Sequence, residues 1–125
     1  MAAADYLRAA AAEVRKAAQD LHDQVRSTQA EYDHHRRDLE GAISMHEIEI
    51  RTKEAGVAAM GDPADVKGMR LQIAALQKMT GDRKKELDAS RANVDRQVSG
   101  KLAFASQLEG LASQLDGLVG RPEAG

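Results

Sequence analysis

Glu31, His34, His35 and Asp38 lie within one eight-residue stretch. On a helix, Glu31, His34 and Asp38 would share a face, because positions three and four apart stack. Glu-x-x-His is the spacing with which carboxylate-rich di-iron bundles hold metal, and such sites take further carboxylates from facing helices. In this chain Asp88 could face His35, but Lys84, Lys85 and Arg91 accompany it and would repel a cation. A symmetric second copy could supply a second donor set. The expected reading is surface histidines, with no cofactor. Iron binding or storage through Glu31 and His34, in a four-helix assembly of two hairpins, is the alternative.

Other chemistries are missing from the sequence. No glycine-rich loop joins a strand to a helix, and no serine sits in a nucleophile turn. The chain has no cysteine, which removes disulfides, thiolate zinc sites and thiol nucleophiles. His46 falls on an apolar stripe and is expected as a neutral seam histidine. His22 is expected at the surface. An enzyme is not expected.

The elements that carry these residues are helical. Ala, Leu, Glu, Lys, Arg, Gln and Met dominate the 125 residues, and all favour helix. Twenty-three of the apolar residues are alanine and only three are aromatic: Tyr6, Tyr32 and Phe104. That core suits a two-helix seam better than a globule. At the chain's midpoint, Gly61-Asp62-Pro63 reads as a stop followed by a start. Glycine suits the left-handed position after a helix, aspartate the N-cap, and proline the first helical position. Asp65, three residues into the next helix, favours its positive dipole end.

One stripe runs through 2–60: Leu7, Ala11, Val14, Ala18, Leu21, Val25, Thr28, Tyr32, Leu39, Ile43, His46, Ile50, Val57 and Met60. Another runs through 64–119: Val66, Met69, Ile73, Leu76, Leu87, Val94, Val98, Leu102, Ala105, Leu108, Ala112, Leu115 and Val119. Their three- and four-residue steps match a core-facing helix. The fold class is therefore all-α, a single-domain, coiled-coil-like antiparallel hairpin with arms of about 85 Å. Reversal at 61–62 makes facing residues add to 123, so Val57 meets Val66, Ile50 meets Ile73 and Val25 meets Val98. A rival reading breaks the second arm at Gly81-Asp82 and gives three helices. The matching stripes on both sides of Gly81 favour a continuous helix. Residues 120–125 read as a disordered tail.

Three surfaces invite partners. A charged waist gathers His34, His35, Arg36 and Arg37 on one arm and Arg83, Lys84 and Lys85 on the other, among nearby acids. It is expected to be a solvated belt of weak ion pairs. Near the C-terminal end, Phe104, Leu108, Leu111, Leu115 and Leu118 run beside a small-residue stripe of Ala103, Ser106, Gly110, Ser113 and Gly117. Small residues at such spacing permit close helix approach. Met45, Ile48 and Leu71 form an off-seam apolar set nearer the turn. The expected behaviour is self-association, most simply a homodimer, through one or both apolar sets, with another helical protein as a further partner.

Charge narrows the partners. The net charge of −2 gives no basic surface for a nucleic-acid backbone. The N-terminal alanines are interrupted by Asp5 and Arg8, so no signal peptide is read. No apolar run is long enough to span a bilayer. The expectation is a cytoplasmic, non-enzymatic scaffold, adaptor or chaperone-like clamp.

Overall fold

The computed structural model describes residues 2–120. It is an all-α hairpin of two helices that pack against each other, α1 (Ala3–Ala58) and α2 (Pro63–Val119), with no strand among the described residues. The 121–125 part of the expected tail lies outside the described residues. Gly120 is described, and its N–H donates to the Asp116 carbonyl at 3.1 Å.

The turn uses the expected start signal but a different stop. Asp62 caps α2, accepting the Ala64 N–H on Oδ1 at 2.9 Å, and Pro63 opens the helix without needing a donor of its own. Gly61, in contrast, is not left-handed; no described glycine has positive φ. Instead α1 tightens beyond Ala58. The Ala59 and Met60 N–H groups bond the Gly56 and Val57 carbonyls, each at 3.1 Å. These three-residue steps use up orphan carbonyls without a left-handed residue.

Helix α2 continues through Gly81, so the three-helix rival is excluded. Thr80 fills what reads as a gap in the stripe. It is buried at 6% exposure, and its hydroxyl donates to the Leu76 carbonyl at 2.9 Å. Turning the hydroxyl onto the helix's own backbone leaves its methyl for the seam.

The chain divides into two compact units. The terminal unit joins Met1–Ala30 to Val94–Gly125, and the turn unit is Glu31–Asn93. The core of the terminal unit is mostly alanine: Ala11, Ala18, Ala105 and Ala112, with Val25. Ala11 and Ala112 are both wholly buried, as is Ala105, and the pairs Ala11/Ala112 and Ala18/Ala105 each add to 123. A methyl group is too short to fill a wide gap, so total burial requires the helix backbones to approach closely there. In the turn unit, larger residues do the same work: Leu39, Ile43 and Ile73 beside Thr80.

Every residue of the first predicted stripe is buried or half-buried, and so is all of the second except Leu102. Leu102 is 40% exposed, and Lys101 takes the seam position instead. The seam steps explain the shift. They alternate three and four along α1 except at one place, and along α2 except at one matching place and between Thr80 and Leu87, where Arg83 is exposed. The steps are four and four at Thr28, Tyr32 and Arg36, and again at Ser90, Val94 and Val98. An extra four-residue step is a stutter, which locally unwinds a heptad seam. Both stutters fall at the border between the two units.

Candidate interaction surface

The terminal unit has a sidedness that follows from helix rotation. On one side, two bridges join the helices: Arg15 to Asp116, and His22 Nε2 to Glu109 Oε1 at 2.8 Å. The Asp116 carboxylate raises the Arg15 guanidinium above its usual pKa, mainly through that hydrogen bond. Moving two residues along a helix turns about 200°. Two residues beyond each bridging position therefore lies the opposite flank of the seam. On α2 those residues are Leu111 and Leu118, with Phe104 seven residues before Leu111. On α1 they are Ala17 and Gln24, with Ala10 seven residues before Ala17.

Phe104, Leu111 and Leu118 remain 52%, 43% and 48% exposed. Glu109 and Asp116 are the sole charged residues in 102–119, and both are tied to α1 on the bridged side. The unbridged side of α2 is thus apolar or uncharged throughout that stretch, with Gln107 and Gln114 at its rim. Leu108 and Leu115, expected both in the seam stripe and on this surface, are half-buried in the seam. Gly110 and Gly117 lie about half a turn from the seam. A Cβ built on either would meet nothing within 4 Å, so they mark no close approach to α1.

The sequence of this region also repeats itself. Residues 105–111 are Ala-Ser-Gln-Leu-Glu-Gly-Leu, and 112–118 are Ala-Ser-Gln-Leu-Asp-Gly-Leu. This near-identical heptad repeat gives each copy the same tasks: a buried alanine, a half-buried leucine, a carboxylate bridge and an exposed leucine. Comparing the chain with itself at an offset of seven would find it.

In the turn unit, Met45, Ile48 and Leu71 are 68%, 55% and 64% exposed. Ile48 lies midway between the seam residues His46 and Ile50, and Leu71 midway between Met69 and Ile73. Each therefore points away from the opposing helix, and the two stand on opposite outer faces rather than in one patch. His46 is half-buried, and its Nδ1 is buried with no protein partner.

The waist is laced by ion pairs. Lys84 Nζ reaches Glu47 at 3.1 Å, His35 reaches Glu86 at 3.9 Å, and Arg83 reaches Glu86 at 3.4 Å. Arg36 stands 3.6 Å from both Asp33 and Glu40. An open groove of about 340 Å³ runs between Tyr32, Arg36, Glu40, Leu87, Asp88 and Arg91. Its opposite charges neighbour one another, and no nucleophile with an adjacent base faces into it.

Of the candidate metal donors, His34 Nε2 lies 3.5 Å from Asp38, and both are largely exposed. Glu31 is exposed as well. Among the described residues no three His, Asp or Glu side chains converge as a metal site would need. Nor is any described helix long and apolar enough to cross a membrane. The chain matches no known family, no curated protein and no solved structure.

Proposed function

We propose that this protein is a non-enzymatic helical interaction module, a scaffold, adaptor or clamp, that works by offering helix faces to a second copy or to another helical chain. The observation that carries the reading is where the large apolar side chains lie. Among the described residues no large side chain is fully buried, while nine large apolar residues are exposed. The uncharged side of α2 supports the same reading, since depletion of charge is typical of interface cores. A cytoplasmic setting is part of the proposal.

The test is the mass in solution of the whole chain and of a Leu111→Glu, Leu118→Glu variant, by light scattering behind size exclusion. Association of the parent, lost in a variant that keeps its helical circular dichroism, supports the module. A parent that never associates, and that captures no helical partner in a binding screen, contradicts it.

A further inference from the structure

We infer that the unbridged side of the terminal unit is a homodimer surface, in which the Phe104/Leu111/Leu118 ridge of one chain lies on the Ala10/Ala17 trough of a second. The inference rests on the interaction-module reading and names its partner and geometry.

The surface is complementary to itself. Its α2 half projects three large side chains at seven-residue spacing, all about half exposed. Its α1 half presents alanines at the same spacing, Ala10 half-buried and Ala17 exposed. Ridge and trough run along the same stretch of the seam, because residues facing across it add to 123. Ala10 stands level with Ser113, and Ala17 with Ser106. A two-fold axis parallel to the helices brings α2 of one chain over α1 of the other without any shift along the axis. Leu111 then meets the partner's Ala10, Phe104 meets the partner's Ala17, and the same contacts recur on the other half, as an isologous interface requires. All four neighbouring helices are antiparallel in this arrangement.

Charge allows this pairing and argues against a strongly charged partner. The two acids of 102–119 are held by Arg15 and His22 on the opposite side, so no carboxylate of α2 faces the second chain. Glu13 and Asp20, seven residues apart at the same rim of α1, face this uncharged stretch of α2, where the amides of Gln107 and Gln114 can donate to a carboxylate. A two-fold axis perpendicular to the helices is the worse choice. It stacks ridge on ridge and alanine on alanine, and leaves the trough open. Gly110 and Gly117 take no part, because they face directly away from α1.

The chain's lack of cysteine makes a clean cross-linking test possible. Four single variants, Ala10→Cys, Ala17→Cys, Phe104→Cys and Leu111→Cys, are refolded alone and in pairs, then oxidised. The proposal predicts covalent dimers from Ala10→Cys mixed with Leu111→Cys, and from Ala17→Cys mixed with Phe104→Cys. Leu111→Cys alone should give little. The mass of unoxidised parent is read beside them. A doubled mass with Leu111→Cys linking to itself, or with no mixed pair linking, overturns this interface and leaves the interaction module standing. A parent that stays at 13.5 kDa and yields no cross-links overturns the homodimer. The face then belongs to another protein or to a lipid surface, which capture by a helical partner or flotation with vesicles would separate.

Discussion

Gly81 shows how little a glycine reveals until its surroundings are known. It sits inside α2 with open space where a Cβ would be. Gly81→Ala should therefore stabilise the fold, by about 0.5–1 kcal/mol, because alanine loses less backbone freedom in a helix. Thermal melting by circular dichroism reads this as a rise of a few degrees; a fall would mean that the glycine meets something the helix does not reveal. Asp62 is the opposite case. Its carboxylate holds the first turn of α2, so Asp62→Ala should cost about 1 kcal/mol. An unchanged melting temperature would show the turn to be held by Pro63 and packing alone. His46 places a buried Nδ1 without a protein partner on the seam. His46→Leu removes that group and adds apolar contact, so the melting temperature should rise. A marked drop would show that the ring nitrogen is satisfied and needed. Asp23 is held below its usual pKa by hydrogen bonds from Gln19 and then Arg26. A depressed carboxylate pKa favours the folded state above the unfolded value, and that contribution is lost as pH falls through the folded value. Asp23 is exposed, so its effect belongs at the weak end of surface pairs.

At the scale of elements, the two helices were legible because the signals were redundant. Stripe, turn chemistry and facing positions that add to 123 all pointed to one hairpin. The stop at Gly61 was misread, since glycine permits a left-handed turn without demanding one, and α1 closes in three-residue steps instead. Leu102 was misplaced for a related reason. A stutter at Val94 rotates the seam onto Lys101, and a stripe built from the most apolar candidates steps over a lysine whose stem can line a seam. Thr80 was overlooked because its polarity hides a methyl group and a self-satisfied hydroxyl. The surface was legible only in part. Phe104, Leu111 and Leu118 could be named from spacing, but separating them from Leu108 and Leu115 required knowing which flank carries the bridges. The alanine seam makes its own prediction. Ala112 is wholly buried against a closely approaching helix, so Ala112→Leu should overpack it and destabilise the fold by about 1–3 kcal/mol. Denaturant melts with a higher midpoint for Ala112→Leu would mean the helices stand far enough apart to admit a leucine.

For the whole molecule, the balance of apolar surface is the central fact. Among the described residues, four alanines, one valine, one leucine and two isoleucines, with a threonine, are buried; most other seam residues are half-buried, and nine large apolar side chains are exposed. The heptad repeat at 105–118 gives α2 two unlike flanks, one bridged to α1 and the other left apolar. The most direct test is sedimentation equilibrium of the unmodified chain over a wide dilution range. A homodimer gives a species of twice 13.5 kDa that dissociates on dilution. A single species of 13.5 kDa at every concentration would rule the homodimer out.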